Sequence, residues 1–158
     1  MKIVLHTNNQ GWAGAHGEME LRANGAKLEL GNKIVSQSNA YHNQQGGTWC
    51  RGCSFDGDIQ NRNQCWMAGG STQCSTWGNC YWIFDFWYVM PVDQLLFNAD
   101  NCGHNSHPPG GAARLSVYGS QVSSSGPWMP VIEDADVDSH GKVIYTFSLT
   151  YPGQTPPS

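Results

Sequence analysis

The chain has 158 residues, enough for one domain with a core of its own. Only 13% of them are charged, about half the usual share, while 19 Gly and 8 Pro indicate short strands and long polar loops rather than helices. With a net charge of −4, scattered Lys and Arg and no apolar run of about 18 residues, composition argues against a nucleic-acid partner and a membrane-spanning helix.

In chain order, Lys2-Ile3-Val4-Leu5-His6 reads as a first strand, followed by a loop at Asn8-Asn9-Gln10-Gly11. Glu18-Met19-Glu20-Leu21-Arg22-Ala23 alternates with period two, Asn24-Gly25 is a hairpin signal, and residues 26–30 alternate again. Residues 31–79 are mostly polar, interrupted by Ile34-Val35 and Ser54-Phe55. Residues 80–86 and 92–97 are dense enough in apolar side chains to be buried central strands, with Pro91 between them where a missing amide donor is tolerable. In the first, Trp82, Phe84 and Phe86 share one phase, and Trp87-Tyr88 is expected to add to the core. Residues 98–111 form a loop rich in Gly, His and Pro; residues 114–118 and 143–150 read as further strands, and 152–158 as a polar tail. The expectation is an all-β domain over residues 1–151, with about eight strands in a two-sheet sandwich.

The six cysteines, at positions 50, 53, 65, 74, 80 and 102, are even in number and clustered. That pattern reads as disulfides in an oxidising setting, and six cysteines allow 15 pairings among which sequence does not choose. Trp49-Cys50-Arg51-Gly52-Cys53 superficially matches a thioredoxin-like redox motif, but Ser54-Phe55-Asp56-Gly57 follows at once and forbids the helix that chemistry requires. A four-cysteine zinc site lacks its second C-x2-C. Disulfides closing long loops are the reading kept, each worth about 2–4 kcal/mol. The N-terminus lacks the apolar run of a signal peptide, so an extracellular or virion-surface location implies a removed leader, a fragment or another route out of the cell.

Several segments in order carry a family resemblance: Ser36-Gln37-Ser38-Asn39-Ala40-Tyr41, then Ser54-Phe55-Asp56-Gly57-Asp58, Cys65-Trp66, Tyr81-Trp82-Ile83-Phe84-Asp85-Phe86 and Val92-Asp93-Gln94-Leu95-Leu96-Phe97. Together they resemble the discoidin, or coagulation factor 5/8 type C, domain, a galactose-binding-like jelly roll. Gly17-Glu18-Met19-Glu20-Leu21-Arg22-Ala23-Asn24-Gly25 near the start looks like the variant whose closing strands sit at the N-terminus, as in phage and bacterial surface proteins. The loop from Asp56 to Trp66 is longer than the family's, and the cysteine cluster is an addition. The resemblance implies a module that binds sugars or membrane surfaces and catalyses nothing. It also implies a structural calcium ion held by Asp56, Asp58 and Glu18, a donor set of hard carboxylate oxygens; a plain Asp-Gly turn is the simpler reading. Trp66 matches the family's core Trp.

Ligand candidates lie in the loops. Trp49 and Trp77 stand among Gly, Ser, Thr, Asn and Cys, and an exposed indole suits the apolar face of a pyranose, although each could instead cover a neighbouring disulfide. His104, Asn105, His107 and Arg114 supply planar or bidentate hydrogen-bonding groups of the kind that read sugar hydroxyls, or belong to a solvated loop tied down by Cys102. Glu133, Asp134, Asp136 and Asp138 read as a solvated hairpin, and no nucleophile or phosphate-loop motif occurs, so no enzyme is expected. The function expected is non-catalytic, lectin-like binding of cell-surface or polymeric glycans. The alternative is a structural or decoration domain of an extracellular or virion assembly that binds neighbouring protein subunits.

Overall fold

The computed structural model describes residues 1–6, 18–38, 55, 57, 59, 80–99, 114–137 and 144–151, together with the backbone of 15–16 and 66–67. These residues form two antiparallel sheets and a small two-stranded one, with no helix among them. The elements are β1 (Lys2–His6), β2 (Ala15–His16), β3 (Met19–Ala23), β4 (Ala26–Lys27), β5 (Ile34–Gln37), β6 (Trp66–Met67), β7 (Cys80–Phe84), β8 (Val92–Asn98), β9 (Arg114–Gly119), β10 (Met129–Asp136) and β11 (Ile144–Ser148). Eight of these eleven described strands are four residues or longer.

The five-stranded sheet runs β10-β9-β1-β7-β5 and the four-stranded sheet β11-β8-β3-β4; β2 pairs with β6. One hydrophobic cluster draws on both large sheets, with Ile3, Leu5, Trp82, Phe84, Leu115 and Val117 from the first and Met19, Leu21, Leu95 and Phe97 from the second. Two sheets sharing one core make a sandwich-like arrangement. β7 alternates strictly: Cys80, Trp82 and Phe84 are buried while Tyr81 and Ile83 are partly covered. In the β3–β4 hairpin, Asn24 and Gly25 have φ of 52° and 78°, the left-handed pair that a two-residue turn between right-twisted strands demands. Regular pairing of the second arm stops at Lys27, short of the expected residue 30, although Leu28 N–H still donates to Leu21 O.

The acidic run is solvated on one arm of the β9–β10 hairpin, as expected: Glu133, Asp134 and Asp136 are exposed within β10, an eight-residue edge strand, while Asp138 lies outside the described residues. Its register on β9 shifts twice, and Asp134 takes a φ of 54° at the second irregularity. Charge, bulges and Pro130 are the devices by which an edge strand resists further pairing. One expectation is corrected: Trp87 and Tyr88 do not join the core. They are 68% and 67% exposed, because the buried phase of β7 continues only through Phe86 before the chain turns away towards β8.

The register places the strand ends in two groups. His6, Ser38, Cys80, Arg114 and Asp136 end or begin neighbouring strands at one margin of the five-stranded sheet. Asn98, Ile144 and Glu18 do the same in the four-stranded sheet. At the opposite pole a connection of only seven residues joins Phe84 to Val92 across the sheets.

Candidate functional site

Most of the residues singled out from sequence fall outside the described ones: Trp49, Trp77, His104, Asn105, His107, Asp56, Asp58, Cys50, Cys53, Cys65, Cys74 and Cys102, and the side chain of Trp66. Arg114, Glu18 and Cys80 are described. Arg114 opens β9 and is exposed; its Nη1 donates to Asp134 Oδ2 at 2.6 Å and to Asp134 O at 3.2 Å. The guanidinium is thus anchored on one side by the irregularity in β10. Cys80 is fully buried and disulfide-bonded, with a partner outside the described residues.

Glu18 is buried, and its Oε1 accepts the amide N–H of Gly57 at 2.8 Å. It therefore stands beside the glycine that separates Asp56 from Asp58 in sequence. Three further contacts hold this stretch. Phe55 packs edge-on against Trp82 and Phe84, Asn98 Nδ2 donates to Ile59 O at 2.7 Å, and Lys27 Nζ lies 2.5 Å from Gly57 O. Residues 55, 57 and 59 thereby tie the five-stranded sheet to the four-stranded one. A buried carboxylate fits hard-cation chemistry. Lys27, however, already brings an ammonium to the same turn, where it also approaches Glu20 Oε2 at 3.6 Å. Glu20 is buried as well and pairs with Arg22 at 2.5 Å, so among the described residues two acids and two bases gather here. Among the described residues no group of three His, Cys, Asp or Glu could hold a metal ion.

The other pole carries a feature that sequence reasoning missed. A cleft of about 470 Å³ opens between the connection after β7 and the connection after β9. Phe84, Phe86, Met129 and Tyr151 contribute to its lining, as do Trp87, Tyr88 and Val89 on one side and Ser120, Gln121 and Val122 on the other. Four of the five large hydrophobic side chains exposed among the described residues border it: Trp87, Tyr88, Val89 and Val122.

Trp87 has a φ of 60°, which a bulky side chain rarely adopts. Asp85 holds it there, its Oδ1 accepting the Trp87 amide at 2.8 Å, while Asp85 N–H donates to Lys33 O at 2.8 Å. Lys33 Nζ then lies over the indole at 3.7 Å from the ring centroid. Across the cleft, Ser120 Oγ accepts the amides of Val122 and Ser123, which fixes that wall. At the base, burial first and the Asp93 carboxylate second push the Tyr151 phenol above its ordinary range, so the ring stays neutral. A signal for this cleft was present in the sequence: the unbroken run Phe86-Trp87-Tyr88-Val89-Met90 ahead of Pro91 does not alternate, so a half-buried strand could not absorb all of it.

Fold and geometry together define the class only broadly, as an all-β protein with two antiparallel sheets, a buried acidic side chain at an Asp-Gly-Asp segment and an aromatic cleft. No family model, curated protein or solved structure matches the chain.

Proposed function

We propose that this protein is a non-catalytic carbohydrate-binding module, a jelly-roll sandwich of the galactose-binding-like kind that recognises glycans through loops at one pole. The observation that carries the reading is the grouping of strand ends. The chain leaves Ser38 and returns at Cys80, and leaves Ala99 and returns at Arg114, all at one margin of the strands. Every ligand candidate read from the sequence, Trp49, Trp77, His104, Asn105, His107 and Arg114, therefore belongs to a segment anchored at that pole. Binding residues borne on loops above a rigid scaffold are the common solution for recognition.

The disulfide at Cys80 suits this reading, since cross-links would stiffen long polar loops and lower the entropy lost when a ligand orders them. Calcium enters as a structural ion that Asp56, Asp58 and Glu18 would hold, supplying charge that rigidifies the turn. A location outside the cell or on a virion surface would suit such cross-links. Weak single-site affinity would be compensated by display in several copies.

A glycan array probed with the oxidised protein, with and without EDTA, tests the reading. Selective binding to a few related sugars is expected, together with loss on Arg114→Ala. A blank array from folded protein overturns it and favours the rival reading, a decoration domain whose loops meet neighbouring subunits.

A further inference from the structure

The pole opposite the loops carries an observation of its own. Trp87 is not merely exposed. It is held exposed, in a backbone conformation that is costly for a bulky side chain and persists only where the surroundings over-determine it. Those surroundings are the Asp85 carboxylate on its amide and the Lys33 ammonium on one face of its ring. An indole fixed in this way loses little entropy when a ligand stacks on it, which is the condition for useful affinity from a single aromatic contact. The facing wall is uncharged and, apart from Val122, polar. Among the described residues Gln121 and Ser124 have no side-chain hydrogen bond, while Ser120 and Ser123 spend theirs on the turn itself.

We propose that this cleft is a second carbohydrate site, in which one pyranose stacks on the open side of Trp87 and beside Tyr88 while Gln121 and Ser124 bond its hydroxyls. The chemistry selects this occupant. A sugar offers one apolar face to the indole and a hydroxyl edge to Gln121 and Ser124 at the same time. A volume of about 470 Å³ suits one or two sugar rings rather than a long polymer. Lys33 is a positioning residue, covering one face of the indole so that only the other meets a ligand.

The assignment shares its ligand class with the proposed function but not its residues, and one experiment separates the two. The wild-type protein, labelled with ¹⁵N, is titrated with D-galactose, N-acetyl-D-glucosamine and cellobiose while the indole N–H resonances are followed. A saturable shift of the Trp87 indole with at least one probe is expected, and Tyr88→Ala should weaken that binding about tenfold. Shifts confined to Trp49 or Trp77 would overturn the cleft assignment and leave the loop reading standing. Shifts confined to Trp87 would do the reverse. No movement of any indole at tens of millimolar sugar would overturn both. A Trp87 resonance that responds to protein concentration alone, with dimers seen in sedimentation, would give the cleft to a second copy of the chain and overturn the assignment.

Discussion

Lys33 places its ammonium 3.7 Å from the centroid of the Trp87 ring, clasping the turn that precedes β5 to the connection that follows β7. Backbone supports the same clasp, through the Asp85 N–H on Lys33 O. A cation over an exposed indole is worth about 0.5–1 kcal/mol. A double-mutant cycle of Lys33→Met and Trp87→Leu in urea is expected to return a coupling of that size. A coupling of zero would mean that Asp85 alone holds the turn.

Gly119 ends β9 at the base of the cleft, and a methyl group there would lie 2.6 Å and 2.8 Å from two ring carbons of Tyr151. At such distances either the ring or the strand must shift. Gly119→Ala should therefore destabilise the protein by about 1–3 kcal/mol, the range for overpacking. In a chain of this size each kcal/mol lowers Tm by about 2–4 °C, which thermal unfolding resolves. The same substitution on a Tyr151→Leu background should cost less.

Alkaline pH should act through Tyr151. Its phenol is raised above the ordinary value of about 10, first by burial and then by Asp93. Below that value both folded and unfolded chains hold the proton, so the group confers no pH dependence. Above it the unfolded chain releases the proton first, and stability falls as pH rises. Urea midpoints measured between pH 9 and pH 11 should decline in wild type, and Tyr151→Phe should flatten the decline. An unchanged slope in the variant would assign the effect to other groups.

Glu18 is buried and accepts the Gly57 amide; Glu18→Gln keeps an acceptor there but removes the charge that strengthens the bond, and should cost about 1 kcal/mol. The calcium proposal adds a sharper expectation. Calcium at a hundredfold excess over its dissociation constant should stabilise the wild-type protein by about 2.7 kcal/mol. Glu18→Gln should lose that response, whereas Lys27→Met, which withdraws the competing ammonium from Gly57 O, should enlarge it. A wild-type Tm indifferent to both calcium and EDTA would leave the turn to Lys27.

Local pattern made much of the architecture legible. The alternation of residues 19–23 and 80–84, the Asn24-Gly25 turn and the apolar density of residues 92–97 each placed a strand, because a half-buried strand imposes period two on its side chains. The edge strand β10 escaped for the opposite reason. Half of its residues are exposed and none is fully buried, and the acids and Pro130 that keep it from pairing outwards also erase the pattern of a buried strand. At the candidate sites, sequence and family likeness named Glu18 beside Asp56 and Asp58, and tertiary contact brought Glu18 to Gly57 across 39 positions.

By itself the sequence determined an all-β chain, its main strands, its cysteine cluster and its loop-borne polar and aromatic residues, since each follows from local periodicity or composition. Only the tertiary structure decided which aromatic side chains are buried. Phe86 and Trp87 are adjacent and both strongly apolar, yet one packs in the core and the other is exposed beside Lys33. Burial depends on where the backbone turns relative to the opposing sheet, and that turn is set by Asp85, Lys33 and the short path to Val92, which are distant or neutral in any local pattern.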